Sequence, residues 1–164
     1  MVGVLLRPAT PADATATAAI YNAEVTGSRV TFDLVTRTVE EQSAWLRSRS
    51  GAHEVVVAEV DGEVAGFASL SPYRDRPAYR TTVEDSIYVH ADHRGSGVGR
   101  ALLEEIVGVA RERGFHTVMA RIVADHAASI RLHAAVGFEH VGIEREVGRK
   151  FGRWLDVTVM QLLL

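Results

Sequence analysis

Residues Thr81 to Val89 are β-forming, Arg94 to Gly99 carry glycines at 95, 97 and 99, and Ala101 to Arg113 have helical apolar spacing ended by Gly114. A strand that runs into a glycine-rich turn and then a helix brings several backbone N–H groups and the positive helix end to one point. Glycine there lets the main chain come within hydrogen-bond reach of phosphate oxygens. The segment predicts a phosphate or pyrophosphate site on a strand–turn–helix unit. Two familiar phosphate loops do not match it. A Walker A loop needs Lys and then Ser or Thr after its last glycine, whereas Gly99 is followed by Arg100 and Ala101. A dinucleotide fingerprint belongs to the first strand of a βαβ unit, whereas this turn lies in mid-chain behind a β-rich stretch.

The flanking sequence sets the architecture. Val4 to Arg7 is a short apolar run stopped by Pro8, and an Ala/Thr/Ile pattern from about Pro11 to Glu24 predicts a helix. Thr38 and Glu41 have capping-box spacing, predicting a second helix over about 39–49. Glu54 to Val60 and Glu63 to Leu70, joined by Asp61-Gly62, predict a β-hairpin. His116 to Val123 predicts a strand and Ala127 to Val136 a helix stopped by Gly137, while Phe138 to Val147 and Trp154 to Leu163 predict a closing β-pair. Strands in a meander and then alternating with helices predict a mixed α/β (α+β) sheet. The 164 residues suffice for one domain spanning 1–164.

Composition removes several function classes. A formal net charge of -3 lacks the broad basic field that non-specific nucleic-acid binding uses. Cysteine is absent, which excludes disulfides, thiolate metal sites and a cysteine nucleophile. His90, His93, His116, His126, His133 and His140 are scattered without His-Glu-x-x-His spacing, so no metal is expected. No apolar run approaches a membrane span and Met1 to Thr10 does not read as a signal peptide, which predicts a cytoplasmic protein with no membrane partner.

Arg94, Gly97 and Gly99, after Ile87-Tyr88-Val89, match the pattern Arg/Gln, two residues, Gly, one residue, Gly/Ala. This resembles the acetyl-CoA motif of the GCN5-related N-acetyltransferases (GNAT). Ala127 to Phe138, with Ser129, Ile130, Arg131, Leu132, His133 and Gly137-Phe138, resembles the family's next block, a helix and Gly-Phe turn that flank the pantetheine arm. Thr82 to Val89 and Lys150 to Val157 are similar to the branch of phosphinothricin and methionine sulfoximine acetyltransferases, small L-amino-acid N-acyltransferases, and that similarity runs from about Leu6 to Leu162.

The resemblance implies the GNAT fold, a twisted, mostly antiparallel sheet flanked by about four helices, and acetyl-CoA as acetyl donor. It implies cofactor contacts from Ile87, Tyr88, Val89, Arg94, Gly95, Ser96, Gly97, Val98, Gly99, His126 and Ser129, and substrate contacts from Tyr73, Arg74, Arg76, Glu84 and Asp85. Many family members have Asn where this chain has His126, and a Tyr where it has His133, though His is normal there within the branch. A homodimer follows from the branch and from the apolar run Val157 to Leu164, whose last strand needs cover.

The chemistry assigns roles to these positions. An amino acid's ammonium must lose a proton before its nitrogen can attack a thioester, and Glu84 is the candidate base, the alternative being a strand-end ion pair. A backbone N–H near Tyr88 and Val89 can donate to the developing oxyanion. Tyr88 or His133 are candidates to protonate the leaving thiolate, His133 being equally readable as a packed helix residue. A planar guanidinium suits a substrate carboxylate, and Arg74 is the best matched among Arg74, Arg76 and Arg80. Tyr73, Phe32 and Trp154 are expected as apolar walls or ordinary core. Two other functions stay open, a non-catalytic acyl-CoA sensor and an acetyltransferase for protein amines.

Overall fold

The computed structural model describes residues 3–49 and 51–164. Its strands are β1 (Val4–Pro8), β2 (Val55–Val60), β3 (Glu63–Pro72), β4 (Thr82–Val89), β5 (Thr117–Val123), β6 (Glu139–Lys150) and β7 (Arg153–Leu163). Its α-helices are α1 (Ala14–Gly27), α2 (Val39–Ser48), α3 (Val98–Glu112) and α4 (Ala127–Val136). The strands form one seven-stranded sheet in the order β1-β2-β3-β4-β5-β7-β6. Every neighbouring pair is antiparallel except β4 with β5.

Local chemistry explains the elements. Asp61 and Gly62 both take positive φ (52° and 83°), the requirement of the two-residue turn that matches strand twist. Phe151 and Gly152 repeat this conformation (50° and 73°) between β6 and β7. The Thr38 hydroxyl accepts the Glu41 N–H at 3.1 Å, and the Glu41 carboxylate accepts the Thr38 N–H at 2.8 Å, so the capping box closes α2. A short 3-10 turn over Pro11–Asp13 precedes α1. It is fixed by Arg7, whose guanidinium donates to both Asp13 oxygens at 2.9 and 2.8 Å.

The two faces of the sheet carry separate cores. On one, the buried stripe of α3 (Val98, Leu102, Leu103, Ile106, Val107, Ala110) packs on Val56, Ala58, Ala68, Leu70, Val83 and Val118. Burying each of the larger of these side chains stabilises the fold by about 1.5–3 kcal/mol. On the other, Ile20, Tyr21 and Val25 of α1 and Leu46 of α2 pack on Val55, Val57 and Phe67. Among the described residues no helix is long and apolar enough to cross a membrane.

Candidate active site

The β4 and β5 strands pair at only three positions, Thr82↔Thr117, Val83↔Val118 and Glu84↔Met119. Beyond them β4 stays with β3 while β5 stays with β7, so a gap opens in the middle of the sheet. The His90 N–H donates to the Ala65 carbonyl at 2.8 Å, which turns the His90 peptide toward β3. Peptide direction alternates along a strand, so the N–H and C=O groups of Val89 and Ile87 face the gap.

The open end of the gap leads to the glycine turn. Gly95 and Gly97 have φ of 75° and 95°, and a Cβ built on either would meet no atom within 4 Å. The protein thus demands glycine for backbone conformation rather than internal space. The α3 helix begins at Val98, three residues before the sequence expectation, because Val98 is itself a core residue and Gly99 packs beside Leu132 and Val89. Only the main chain of Val98 can therefore serve a ligand. Among the described residues, no protein acceptor takes the N–H groups of Gly95 to Arg100. Unmet donors at the N-terminus of a 15-residue helix are what a pyrophosphate requires, and the residues present fit that group.

Glu84 stands at the closed end of the gap, in the last β4–β5 pair. Val83, Ile87 and Val89 pack with the α3 core and Tyr88 with the α1 core, so alternation puts Glu84 and Tyr88 on the α1 face and Asp85 on the α3 face. Burial pushes the Glu84 carboxyl above the ordinary carboxylate range; the Arg121 charge pulls it back, and Asp85 and Glu144 add to the rise. Arg121 is salt-bridged to Glu144 of β6. Tyr88 stacks on Phe67 at 5.2 Å and meets Tyr21 edge-on at 5.1 Å. Burial drives its hydroxyl far up from the usual tyrosine value.

Asp85, expected beside Glu84 in the substrate site, is instead buried on the opposite face with His133 at 3.0 Å. Tyr73, Arg74 and Arg76 lie on the loop between β3 and β4. Arg74 lies over the rings of Tyr73 (4.8 Å) and Tyr79 (5.5 Å), an aromatic partner the sequence reading did not name. The Arg80 Nε donates back to the Pro77 carbonyl at 3.2 Å. The Phe32 ring packs against Gly148, where a Cβ would sit 2.3 Å from it. Trp154, expected as wall or core, is 60% exposed with Arg149 over its ring.

The end of α1 bridges the gap. Glu24 pairs with Arg94, whose Nε also donates to the gap-facing Val89 carbonyl at 3.3 Å. Arg29 pairs with Asp125, beyond β5, at 2.5 Å. Beside that pair, Gly27, Ser28, Val30, Val123, His126 and Phe151 line a cleft of about 360 Å³. Burial holds the His126 imidazole below its ordinary pKa. The Ser129 hydroxyl lies 3.4 Å from the His133 ring, and the Ser129 N–H donates to the His126 carbonyl at 3.1 Å. Glu24, Arg121, Glu144 and Tyr79 escaped sequence reading because no motif marks them; only tertiary pairing does.

Residues 18–138, spanning the gap, the glycine turn and α4, match the Acetyltransferase (GNAT) family. This chain is a member of that family. It is 41% identical over 160 residues to the L-amino acid N-acyltransferase MnaT of Escherichia coli (strain K12), covering 97% of this chain and 93% of the relative. A phosphinothricin acetyltransferase from Sinorhizobium meliloti, solved in complex with acetyl-CoA, superposes with a TM-score of 0.94 at 39% identity, over 98% of this chain and 88% of the other. A ribosomal-protein-alanine N-acetyltransferase from Brucella melitensis superposes with a TM-score of 0.95 at 43% identity, over 98% and 99%. The GNAT assignment accounts for the parted strands and the glycine turn at once, with acetyl-CoA as acetyl donor.

Proposed function

We propose that this GNAT protein, as a single catalytic domain, transfers the acetyl group of acetyl-CoA to the primary amine of a small L-amino acid or amino-acid analogue such as phosphinothricin or methionine sulfoximine. The observation that carries the reading is the gap between β4 and β5, with orphan amides at its open end and a raised carboxyl, Glu84, at its closed end. Acetyl-CoA supplies the activated thioester. The amides of residues 95–99 would hold its pyrophosphate, and the peptide edges of Ile87 and Val89 would hydrogen-bond its pantetheine arm.

Glu84 accepts the ammonium proton, directly or through a water, and its raised pKa brings it closer to operating pH than an ordinary carboxylate. The gap-facing N–H of Val89 can donate to the oxyanion as the amine attacks. A thiolate can leave without a side-chain acid and take its proton from water. Arg74, held over two aromatic rings, is the candidate for the substrate carboxylate, with Arg76 beside it and Tyr73 as wall.

A homodimer in the cytoplasm belongs to the same proposal, without nucleic acid as a partner. The last strand, β7, does not need the cover its sequence suggested, because β5 and β6 flank it. Support comes instead from β6, the outer strand among the described residues, which exposes Val141, Ile143 and Val147. Sedimentation at micromolar concentration should give twice the chain mass.

Acetylation of a protein amine is the second reading, favoured by the similarity to the ribosomal-protein-alanine acetyltransferase. Release of free CoA from a panel of amino acids, methionine sulfone, phosphinothricin and Ala-initiated peptides tests both. Turnover confined to the small amines supports the first reading. Turnover confined to peptides replaces it, and none at all favours a sensor.

A further inference from the structure

The buried pair His133–Asp85 takes part in none of the steps above. Nε2 of His133 lies 3.0 Å from Asp85 Oδ2, and Nδ1 lies 2.8 Å from the Ser129 carbonyl oxygen. The two side chains are 4% and 2% exposed. A carbonyl oxygen only accepts, so Nδ1 carries a proton, and a second proton lies between Nε2 and the carboxylate. The pair is neutral as a whole and both its protons are engaged. Donating one to a departing thiolate would leave a net negative charge sealed in the interior, which is costly. Among the described residues Oδ1 of Asp85 has no hydrogen-bond partner, so His133 is the compensation this carboxylate has there.

The position of the pair gives it a different task. Asp85 is the first residue of β4 past the last β4–β5 pair, so its side chain leaves the sheet where the two strands part. His133 comes from α4, the helix that follows β5, and its ring also meets Phe138 edge-on at 5.0 Å. The bond therefore joins β4 to α4 at the level where hydrogen bonding between the two strands stops.

We propose that His133 is a positioning residue, which with Asp85 ties α4 to β4 and sets the width of the gap that receives the acetyl donor. The proposal rests on the acetyl-transfer reading for what the gap receives, though not for the pairing itself. A carboxamide at 133 retains a short donor but not the reach to both partners, and Asp85→Asn removes the charge while retaining an amide for His133.

Two measurements test the proposal. In wild-type protein with ¹⁵N-labelled histidine, His133 should show two ring N–H protons in slow exchange with water at neutral pH. His133→Gln and Asp85→Asn should each raise the acetyl-CoA KM while kcat keeps its pH profile, and the double variant should be little worse than either single one. Those results support the clamp. A ring rapidly exchanging with solvent overturns it, as does a kcat loss of about 10²-fold or more with an unchanged KM and a vanished alkaline limb, the signature of an acid. The ring-proton measurement needs no substrate, so it decides the pairing even if no amine in the panel turns over or a variant fails to fold.

Discussion

Glu84 and Asp85 are adjacent in sequence, yet their carboxylates lie on opposite faces of the sheet. Glu84 is on the face covered by α1, within the influence of Arg121, while Asp85 is sealed on the other face against His133. Strand alternation thus divides one acidic pair between a partly buried carboxylate, the proposed base, and a sealed one.

A pH dependence follows from the first of these. As the proposed base, Glu84 must be ionised, so kcat should fall as pH drops through its pKa, which burial raises above the ordinary carboxylate range. Arg121 pulls that pKa down. Arg121→Gln should therefore move the acidic limb of the kcat profile to higher pH, whereas a limb that stays put would show that Arg121 does not act on the titrating group.

The glycine turn makes a separate demand. Gly97 has φ of 95°, a region that side-chain-bearing residues rarely adopt, so Gly97→Val should cost about 1–3 kcal/mol and disturb the row of free amides. The acetyl-CoA KM should rise strongly. Titration of the folded variant with acetyl-CoA checks this, and an unchanged KM would remove the pyrophosphate assignment.

The core under the turn gives a third expectation. Leu102 is fully buried between α3 and the sheet, so Leu102→Ala should destabilise by about 2–5 kcal/mol in urea unfolding. A loss under about 1 kcal/mol would mean that the α3 layer repacks.

Much of this was readable in the chain because local chemistry carried it. Asp61-Gly62 announces its hairpin through the positive φ that both residues take, and Thr38 with Glu41 announces the start of α2. The glycine turn between β4 and α3 was legible for the same reason, whereas the start of α3 was not, since glycines at 97 and 99 read as loop. The β6 strand runs three residues past its expected end at Val147. A register shift between Glu144 and Gly148, with Glu146 at φ of 54°, breaks the alternation that sequence reading follows. The site pairs were harder. Asp85 meets His133 across 48 residues and Arg94 meets Glu24 across 70, and composition gives no sign of either.

The most direct measurement is kcat for a small acceptor amine, such as methionine sulfone, in wild type and Glu84→Gln. The substitution keeps shape and hydrogen bonding and removes basicity, so kcat should fall by about 10²- to 10⁴-fold, with the acetyl-CoA KM barely changed and the acidic limb gone. A loss of less than about fivefold, with the acidic limb intact, would contradict the assignment of Glu84 as the base.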